Sequence, residues 1–325
     1  MKGLTSRIIW GLVFAVLVMV GLGIYADVQA LVVSFSLFDW SYLFPALALA
    51  MGNYLVRFIR WHLYLKEIDV AHRVPVFESF AIFTGGLVMS ITPGKVGELL
   101  KSVMLKERRG IPVPTSAPVV VAERLTDFVA VLLLCLGGAM SAQYGVEVVS
   151  IAGGLSLLAI VVLSSEKTTI ALLNIGAKLP LVGGIVPTLR EAYRSMRILV
   201  RPMLLVKGVG LGTLAWWLEC VALYVVLLGF SDLTPQLGHC VFIYAFATLA
   251  GAVTMLPGGL VFTEGSMIAL LTVVVPFMVT EEPAIATAAT VVVRFCTLWF
   301  AIGLGIMAMG WLRLNVPPSS SEIME

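Results

Sequence analysis

The sequence contains few charged residues. Only 12% of its 325 residues are Asp, Glu, Lys or Arg, compared with roughly 25% in a soluble globular domain. Hydrophobic residues make up 60%, and the mean hydropathy is +1.03. These values exclude a soluble protein and predict an all-α polytopic membrane protein. The formal net charge of +2 is too small to indicate a nucleic-acid partner, and we expect none.

Cysteine and histidine are also scarce, and no Cys-x-x-Cys or Cys/His cluster has the spacing of metal ligands. The three histidines are isolated from one another, and Gly94-Lys95 lacks the other residues of a phosphate-binding loop. We therefore expect no metal site, no cofactor and no ATPase activity. The four cysteines lie in apolar segments, where we predict packed small side chains: Cys135, Cys220, Cys240 and Cys296.

Long apolar runs are abundant. A helix that spans a bilayer needs about 20 apolar residues, and six such spans are predicted at 8–26, 42–64, 118–142, 148–164, 203–229 and 284–310. Because Lys2 and Arg7 precede it, the first run could also be a signal peptide. We favour a helix that is retained.

Two further apolar regions, 77–107 and 237–279, are each interrupted by a Pro-Gly sequence and then by a glutamate. The charges would lie at membrane depth, where they are costly and usually functional. Each region is predicted to be a re-entrant hairpin or a broken spanning helix. The predicted turn residues are Pro93, Gly94 and Gly97 in the first region and Pro257, Gly258 and Gly259 in the second.

The lysines and arginines predict the orientation, because cytoplasmic loops retain positive charge. The loops 27–41, 143–147, 230–236 and 280–283 contain neither residue. We therefore expect a multi-pass protein of the cytoplasmic (inner) membrane with both termini in the cytoplasm. The two broken regions would then enter from opposite sides, as in the inverted repeats of secondary transporters; the alternative is that Pro-Gly occurs twice by chance.

The chain is predicted to form a single integral membrane domain. Its parts are a first helix and outer loop (1–41), a first repeat with an extra span (42–164), a linker (165–202), a second repeat (203–312) and a cytoplasmic tail (313–325). The linker carries Arg190, Arg194, Arg197 and Arg201 at helical spacing. This pattern fits a basic amphipathic helix on anionic lipid or a solvated linker.

Several charged residues fall inside the predicted spans. Arg57 and Arg60 share a helix face with Asn53; Arg60 is close enough to the end to be an interfacial anchor, so Arg57 is the stronger functional candidate. Glu123, Arg124 and Asp127 either form a local ion pair or leave one charge for a ligand. In the second half we expect Arg294 to pair with Glu219 or Glu264.

The chain resembles the lysylphosphatidylglycerol synthase transmembrane (flippase-like) family over nearly its whole length. Three stretches carry the resemblance: Ser90-Ile91-Thr92-Pro93-Gly94-Lys95-Val96-Gly97-Glu98, Ala122-Glu123-Arg124 with Asp127, and Leu256-Pro257-Gly258-Gly259 with Thr263-Glu264-Gly265. The resemblance implies the handling of aminoacylated phosphatidylglycerol, polyprenyl- or dolichyl-linked glycans, or hopanoid-type lipids. The bifunctional members add a soluble aminoacyl-transfer domain, and this chain ends at Glu325. We therefore do not expect it to synthesise lysyl-lipid alone.

Two functions follow as hypotheses. The first is a flippase-like transporter of an anionic phospholipid, a polyprenyl-phosphate-linked lipid or a related lipid. The second is a membrane-embedded accessory protein or enzyme of lipid or glycolipid biosynthesis, and a scaffold for a glycosyltransferase is a third reading. Candidate partners are the lipid, a biosynthetic enzyme and a second copy of the chain. No catalytic residue is assigned, and the predicted substrate-binding residues are Arg57, Lys95, Glu98, Glu123, Arg124, Asp127, Glu219, Glu264 and Arg294.

Overall fold

The computed structural model describes residues 28–92, 97–142, 154, 198–199, 201–231, 233–254, 256–275 and 282–315. The predicted span 8–26 and nearly all of the predicted span 148–164 and of the 165–202 linker lie outside these residues. So do the turn residues Pro93 and Gly94 and the candidate ligand residue Lys95.

The described residues form helices and helical turns. The α-helices are α1 (Val28–Ser36), α2 (Leu43–Glu67), α3 (Val76–Gly86), α4 (Leu100–Arg109), α5 (Val113–Ala142), α6 (Pro202–Leu228), α7 (Leu237–Val253), α8 (Phe262–Val274), α9 (Glu282–Arg294) and α10 (Phe300–Asn315). Short 3-10 turns cover Trp40–Tyr42, Ala71–Arg73, Leu87–Ile91 and Pro257–Gly259, and a π-turn, Phe295–Trp299, joins α9 to α10.

Within this part of the chain, four helical stretches are long and apolar enough to cross a membrane. They are Trp40–Glu67, Pro202–Leu228, Pro257–Val274 and Pro283–Asn315. Their outer faces expose apolar side chains such as Phe44, Val206 and Val273, which suits contact with lipid. The structure therefore confirms an all-α polytopic membrane protein. The predicted 118–142 span lies within α5, which begins at Val113.

Each apolar region that contains a Pro-Gly sequence holds two separate α-helices. After α3, a 3-10 turn ends at Ile91, and α4 begins at Leu100. Between α7 and α8, Gly258 and Gly259 adopt left-handed backbone with φ of 64° and 67°, a conformation that glycine adopts at little cost. The second half of this region, Pro257–Val274, is itself long enough to cross a membrane.

The two breaks pack together in the interior. Ile91 from the first break and Leu260 from the second form a buried apolar cluster with Leu298 and Ile302. In both halves of the described chain a long helix is followed by a broken segment and another long helix. The resulting junction places both breaks beside the π-turn that follows Arg294.

Two glycines let α6 approach α2 and α5 closely. A Cβ at Gly208 would lie 2.0 Å from the Tyr64 hydroxyl, and one at Gly212 would lie 2.8 Å from Arg60 Nη1. The Gly208-x-x-x-Gly212 motif therefore serves close helix packing, as such motifs commonly do in membranes. It also leaves room for the polar ends of Arg60 and Tyr64 in the helix interface.

Gly138 on α5 is in close contact with backbone atoms of another helix, and its neighbour Gly137 provides a matched control. A Cβ at Gly138 would lie 2.5 Å from the backbone nitrogen of Phe242 on α7, whereas a Cβ at Gly137 would meet nothing within 4 Å. Since backbone cannot rotate away, we expect Gly138→Ala to reduce the free energy of unfolding by about 1–3 kcal/mol. Gly137→Ala should be neutral or stabilising by up to about 1 kcal/mol.

Unfolding of both variants in detergent, followed by circular dichroism, checks this expectation. Equal stabilities for the two alanine variants would show that α5 and α7 do not pack in this register.

The other packing predictions can be compared directly. Cys135, Cys220, Cys240 and Cys296 are all buried free thiols in the apolar core, as expected for packed small residues. Trp61 is also fully buried in the interior.

Candidate functional site

A cavity of about 260 Å³, lined mostly by apolar surface, lies beside both broken segments. Its apolar lining includes Leu87 and Leu256 from the two segments. Its polar lining comes from both halves of the chain: Tyr54, Arg57, Ser90, Arg124, Asp127, Glu219, Tyr244, Thr248, Thr263, Arg294 and Thr297. Five predicted site residues therefore line one cavity, namely Arg57, Arg124, Asp127, Glu219 and Arg294. Glu98, Glu123 and Glu264 are buried in ion pairs adjoining it.

Asp127 on α5 is the centre of the ion pairs on the first wall. Its Oδ1 accepts a hydrogen bond from Arg60 Nη2 at 2.6 Å. Its Oδ2 lies 2.9 Å from Arg124 Nη2 and 3.9 Å from Arg57 Nη2. One carboxylate thus neutralises only part of the charge of three guanidinium groups.

Lys101 on α4 extends the same network. Its ammonium donates to Glu123 Oε2 at 2.6 Å and lies 3.5 Å from Glu98 Oε2. It also lies 4.7 Å from the centre of the Trp61 ring, a distance typical of a cation–π contact. Glu98 in turn approaches Arg124 Nη2 at 3.2 Å, so the ion pairs form one connected chain.

The described network has an excess of positive charge. Arg57, Arg60, Lys101 and Arg124 give +4, while Glu98, Glu123 and Asp127 give −3, a formal sum of +1. All seven side chains lie where apolar helices surround them. Glu219, which lines the same cavity, carries −1 and offsets this sum, and the Arg294–Glu264 pair is neutral by itself. The charges around the cavity therefore balance, as expected where unpaired charge is expensive.

Two cations of this network, Arg57 and Arg124, line the cavity. The side chain of Arg57 is 7% exposed, and its ion pair with Asp127 is long, at 3.9 Å. The buried Nε atoms of Arg57 and Arg124 have no hydrogen-bond partner among the described residues, while Nη2 of Arg124 lies within ion-pair distance of both Asp127 and Glu98. Arg124 is also the more open of the two, with 23% of its side chain exposed. Guanidinium groups of this kind suit a phosphate, whose oxygens accept two parallel hydrogen bonds.

Arg294 on α9 holds the second break in place. Its Nε donates to Glu264 Oε1 at 2.6 Å, and its Nη2 donates to the carbonyl oxygen of Gly258 at 2.9 Å. The predicted pairing of Arg294 is therefore confirmed with Glu264, one of the two candidates. This pair ties α9 to both the glycine turn and the first turn of α8.

Glu219 lies elsewhere on the cavity wall. Tyr244 donates its hydroxyl hydrogen to Glu219 Oε2 at 2.7 Å. Nearby, Tyr54 donates to the carbonyl oxygen of Thr297 in the π-turn, a type of turn often found at functional sites. These two tyrosines thus donate hydrogen bonds to polar groups on neighbouring helices around the cavity.

The structure corrects one prediction and adds one residue. Arg60 is not an interfacial anchor: it is 0% exposed because Asp127, Thr126 and the carbonyl of Gly208 accept its hydrogen bonds. Lys101 was not among the predicted site residues. Its spacing of three from Glu98, which is one helical turn, is the sequence signal that indicates it.

At the C-terminal end of α4, Arg109 donates hydrogen bonds from Nε and Nη2 to the buried carboxylate of Glu78 on α3. These hydrogen bonds raise the pKa of Arg109 above its usual value. They hold α3 against α4 at the end away from the break. In the ranges that the structure covers, no three His, Cys, Asp or Glu side chains are grouped as metal ligands would be.

Comparison with known proteins places these features in a family. Residues 8–305 match the model of the lysylphosphatidylglycerol synthase TM region. The chain is also 30% identical over 139 residues to a UPF0104 membrane protein of Methanothermobacter thermautotrophicus, a match that covers 42% of this chain and 38% of that protein. The match thus covers less than half the length of that relative.

Proposed function

The chain belongs to the lysylphosphatidylglycerol synthase TM region family, and from this membership we propose that it is a flippase-like transporter of a phosphate-bearing lipid. The candidate substrates are an anionic phospholipid, a polyprenyl-phosphate-linked lipid or a related lipid. The membrane would be the cytoplasmic one, with both termini inside, as the distribution of lysine and arginine indicates.

One observation carries the proposal. A cavity beside both broken segments is lined by Arg57 and Arg124, and the ion pair of Arg57 with Asp127 is long, at 3.9 Å. Substrate sites of secondary transporters typically lie between such discontinuous helices. A headgroup phosphate would bind these arginines while its acyl or prenyl tails remain in lipid.

The size of the cavity favours a compact headgroup. About 260 Å³ falls just below the range of roughly 300–1,000 Å³ that is usual for small-molecule sites. It accommodates a phosphate and a small substituent more readily than a linked oligosaccharide.

Each break would act as a hinge in the transport cycle. The two breaks meet at Ile91 and Leu260, so movement of either would open the cavity on one side. If the halves are inverted repeats, as the charge pattern predicts, the two movements would open it to opposite sides of the membrane. Energy would come from a gradient or from downhill flux of lipid.

Reconstitution in liposomes with labelled phosphatidylglycerol tests this function. We expect Arg124→Ala to slow translocation by roughly 30-fold or more, because truncating one member of a buried charge pair costs about 2–5 kcal/mol. Glu264→Gln should also slow it, since Arg294 then loses its charged partner. Arg313→Ala and Glu67→Gln remove exposed charges and should leave the rate unchanged.

Unchanged translocation in both cavity variants would refute the roles assigned to them. A modified lipid that appears when the protein is incubated in detergent, where there are no two sides to cross, would instead favour an enzyme of lipid biosynthesis.

A further inference from the structure

Glu98 occupies an unusual position for a carboxylate next to an anion site. It lies in the short turn that leads from the first break into α4 and is 1% exposed. A single oxygen, Oε2, lies 3.2 Å from Arg124 Nη2 and 3.5 Å from Lys101 Nζ. The carboxylate therefore occupies an ion-pairing position on the guanidinium group of Arg124, which a lipid phosphate would also need.

The two carboxylates that hold Arg124 differ in how they are attached to it. Asp127 is three residues away on the same helix, so its position relative to Arg124 is fixed by α5. Glu98 reaches Arg124 from a different element of the chain. An anion that competes for Arg124 would therefore displace Glu98 and leave Asp127 in place.

Glu98 also has a second cation within reach. Once separated from Arg124, its carboxylate would still be paired with the ammonium of Lys101. That ammonium is held in place by Glu123 at 2.6 Å. A buried carboxylate without any cation would be strongly destabilising. Because Lys101 remains, the exchange of partners avoids that penalty.

Movement of Glu98 would be passed on to the first break. The neighbouring Gly97 donates its backbone N–H to Thr92 Oγ1 at 2.9 Å, and Thr92 donates to the carbonyl of Met89 at 2.6 Å. A Cβ at Gly97 would lie 2.6 Å from Thr92, so the two sides of the break are in close contact. Displacing Glu98 would thus disturb the contact between Gly97 and Thr92.

We propose that Glu98 is a built-in competitor of the lipid phosphate: it holds Arg124 while the cavity is empty, and the arriving phosphate replaces it. This role rests on the proposed function above. Glu98 would then lower the affinity for the lipid, whereas an ordinary binding residue raises it. Removing its charge should strengthen binding, because the phosphate no longer has to break the Arg124–Glu98 pair.

The test is a binding titration of the purified full chain in neutral detergent with a short-chain, water-soluble phosphatidylglycerol. We expect Glu98→Gln to lower Kd by at least about fivefold, within the roughly 5- to 150-fold range of ordinary coupling between sites. Glu67→Gln, which removes an exposed carboxylate on α2, should leave Kd unchanged. A second variant, Glu98→Asp, keeps the charge but withdraws it by one methylene, and should bind with an intermediate Kd.

The outcomes separate the competitor role from the transport function. If a folded Glu98→Gln or Glu98→Asp variant binds the lipid no more tightly than the wild type, the competitor role is wrong. The transport function is still supported in that case, because the wild type binds the lipid. If neither the wild type nor any variant binds the lipid, both are wrong.

Discussion

Lys101→Met is expected to lower the free energy of unfolding by about 3–5 kcal/mol, the usual effect of removing one partner of a buried ion pair. The ammonium of Lys101 is the only described cation within 4 Å of the Glu123 carboxylate, at 2.6 Å, and Glu123 is 0% exposed. Methionine would preserve much of the side-chain stem, which packs over Gly86. The loss of stability would therefore reflect the removal of the Lys101 charge and not a change in side-chain volume.

Thermal or denaturant unfolding in detergent measures this effect. Lys106→Met changes an exposed lysine on the same helix and should have little effect. The double variant Lys101→Met/Glu123→Gln should recover part of the lost stability, because it removes both members of the pair. A single variant as stable as Lys106→Met would show that Lys101 and Glu123 are not paired.

The breaks could be predicted from sequence because their cause is local. A proline followed by two glycines strongly disfavours a continuous helix, so Pro257-Gly258-Gly259 was sufficient to locate the second turn. A single proline is not sufficient, since Pro118 lies inside α5. The pairing of Arg294 was predictable for a different reason. Few charged residues fall within the second-half spans, so only Glu219 and Glu264 were available as partners.

The first-half network was harder to predict because its contacts join distant positions. Arg60 and Asp127 are 67 residues apart, and helical periodicity cannot tell whether Arg60 turns toward lipid headgroups or toward α5. The choice is made by Gly208 and Gly212 of α6, which leave space for the arginine. The π-turn after Arg294 was also missed, since no proline or glycine marks it.

The double variant Arg57→Ala/Arg124→Ala should lose its bound lipid. Hydrogen bonds to charged groups contribute about 1.5–3 kcal/mol each, so removing two arginines should weaken binding by about 3 kcal/mol or more, or at least a hundredfold in Kd. Both side chains line the cavity, and their removal leaves Asp127 paired with Arg60. The protein should therefore still fold, which size-exclusion chromatography can verify.

The most direct test of phosphate binding in this cavity is mass spectrometry of the lipids that remain bound to the purified protein. The wild type should retain a phosphate-bearing lipid, and the Arg57→Ala/Arg124→Ala variant should retain almost none. The control variant Arg73→Ala/Arg313→Ala, which removes two exposed arginines, should match the wild type. Equal occupancy in the cavity variant and the wild type, or a wild type that retains only lipids without phosphate, would contradict a phosphate site at Arg57 and Arg124.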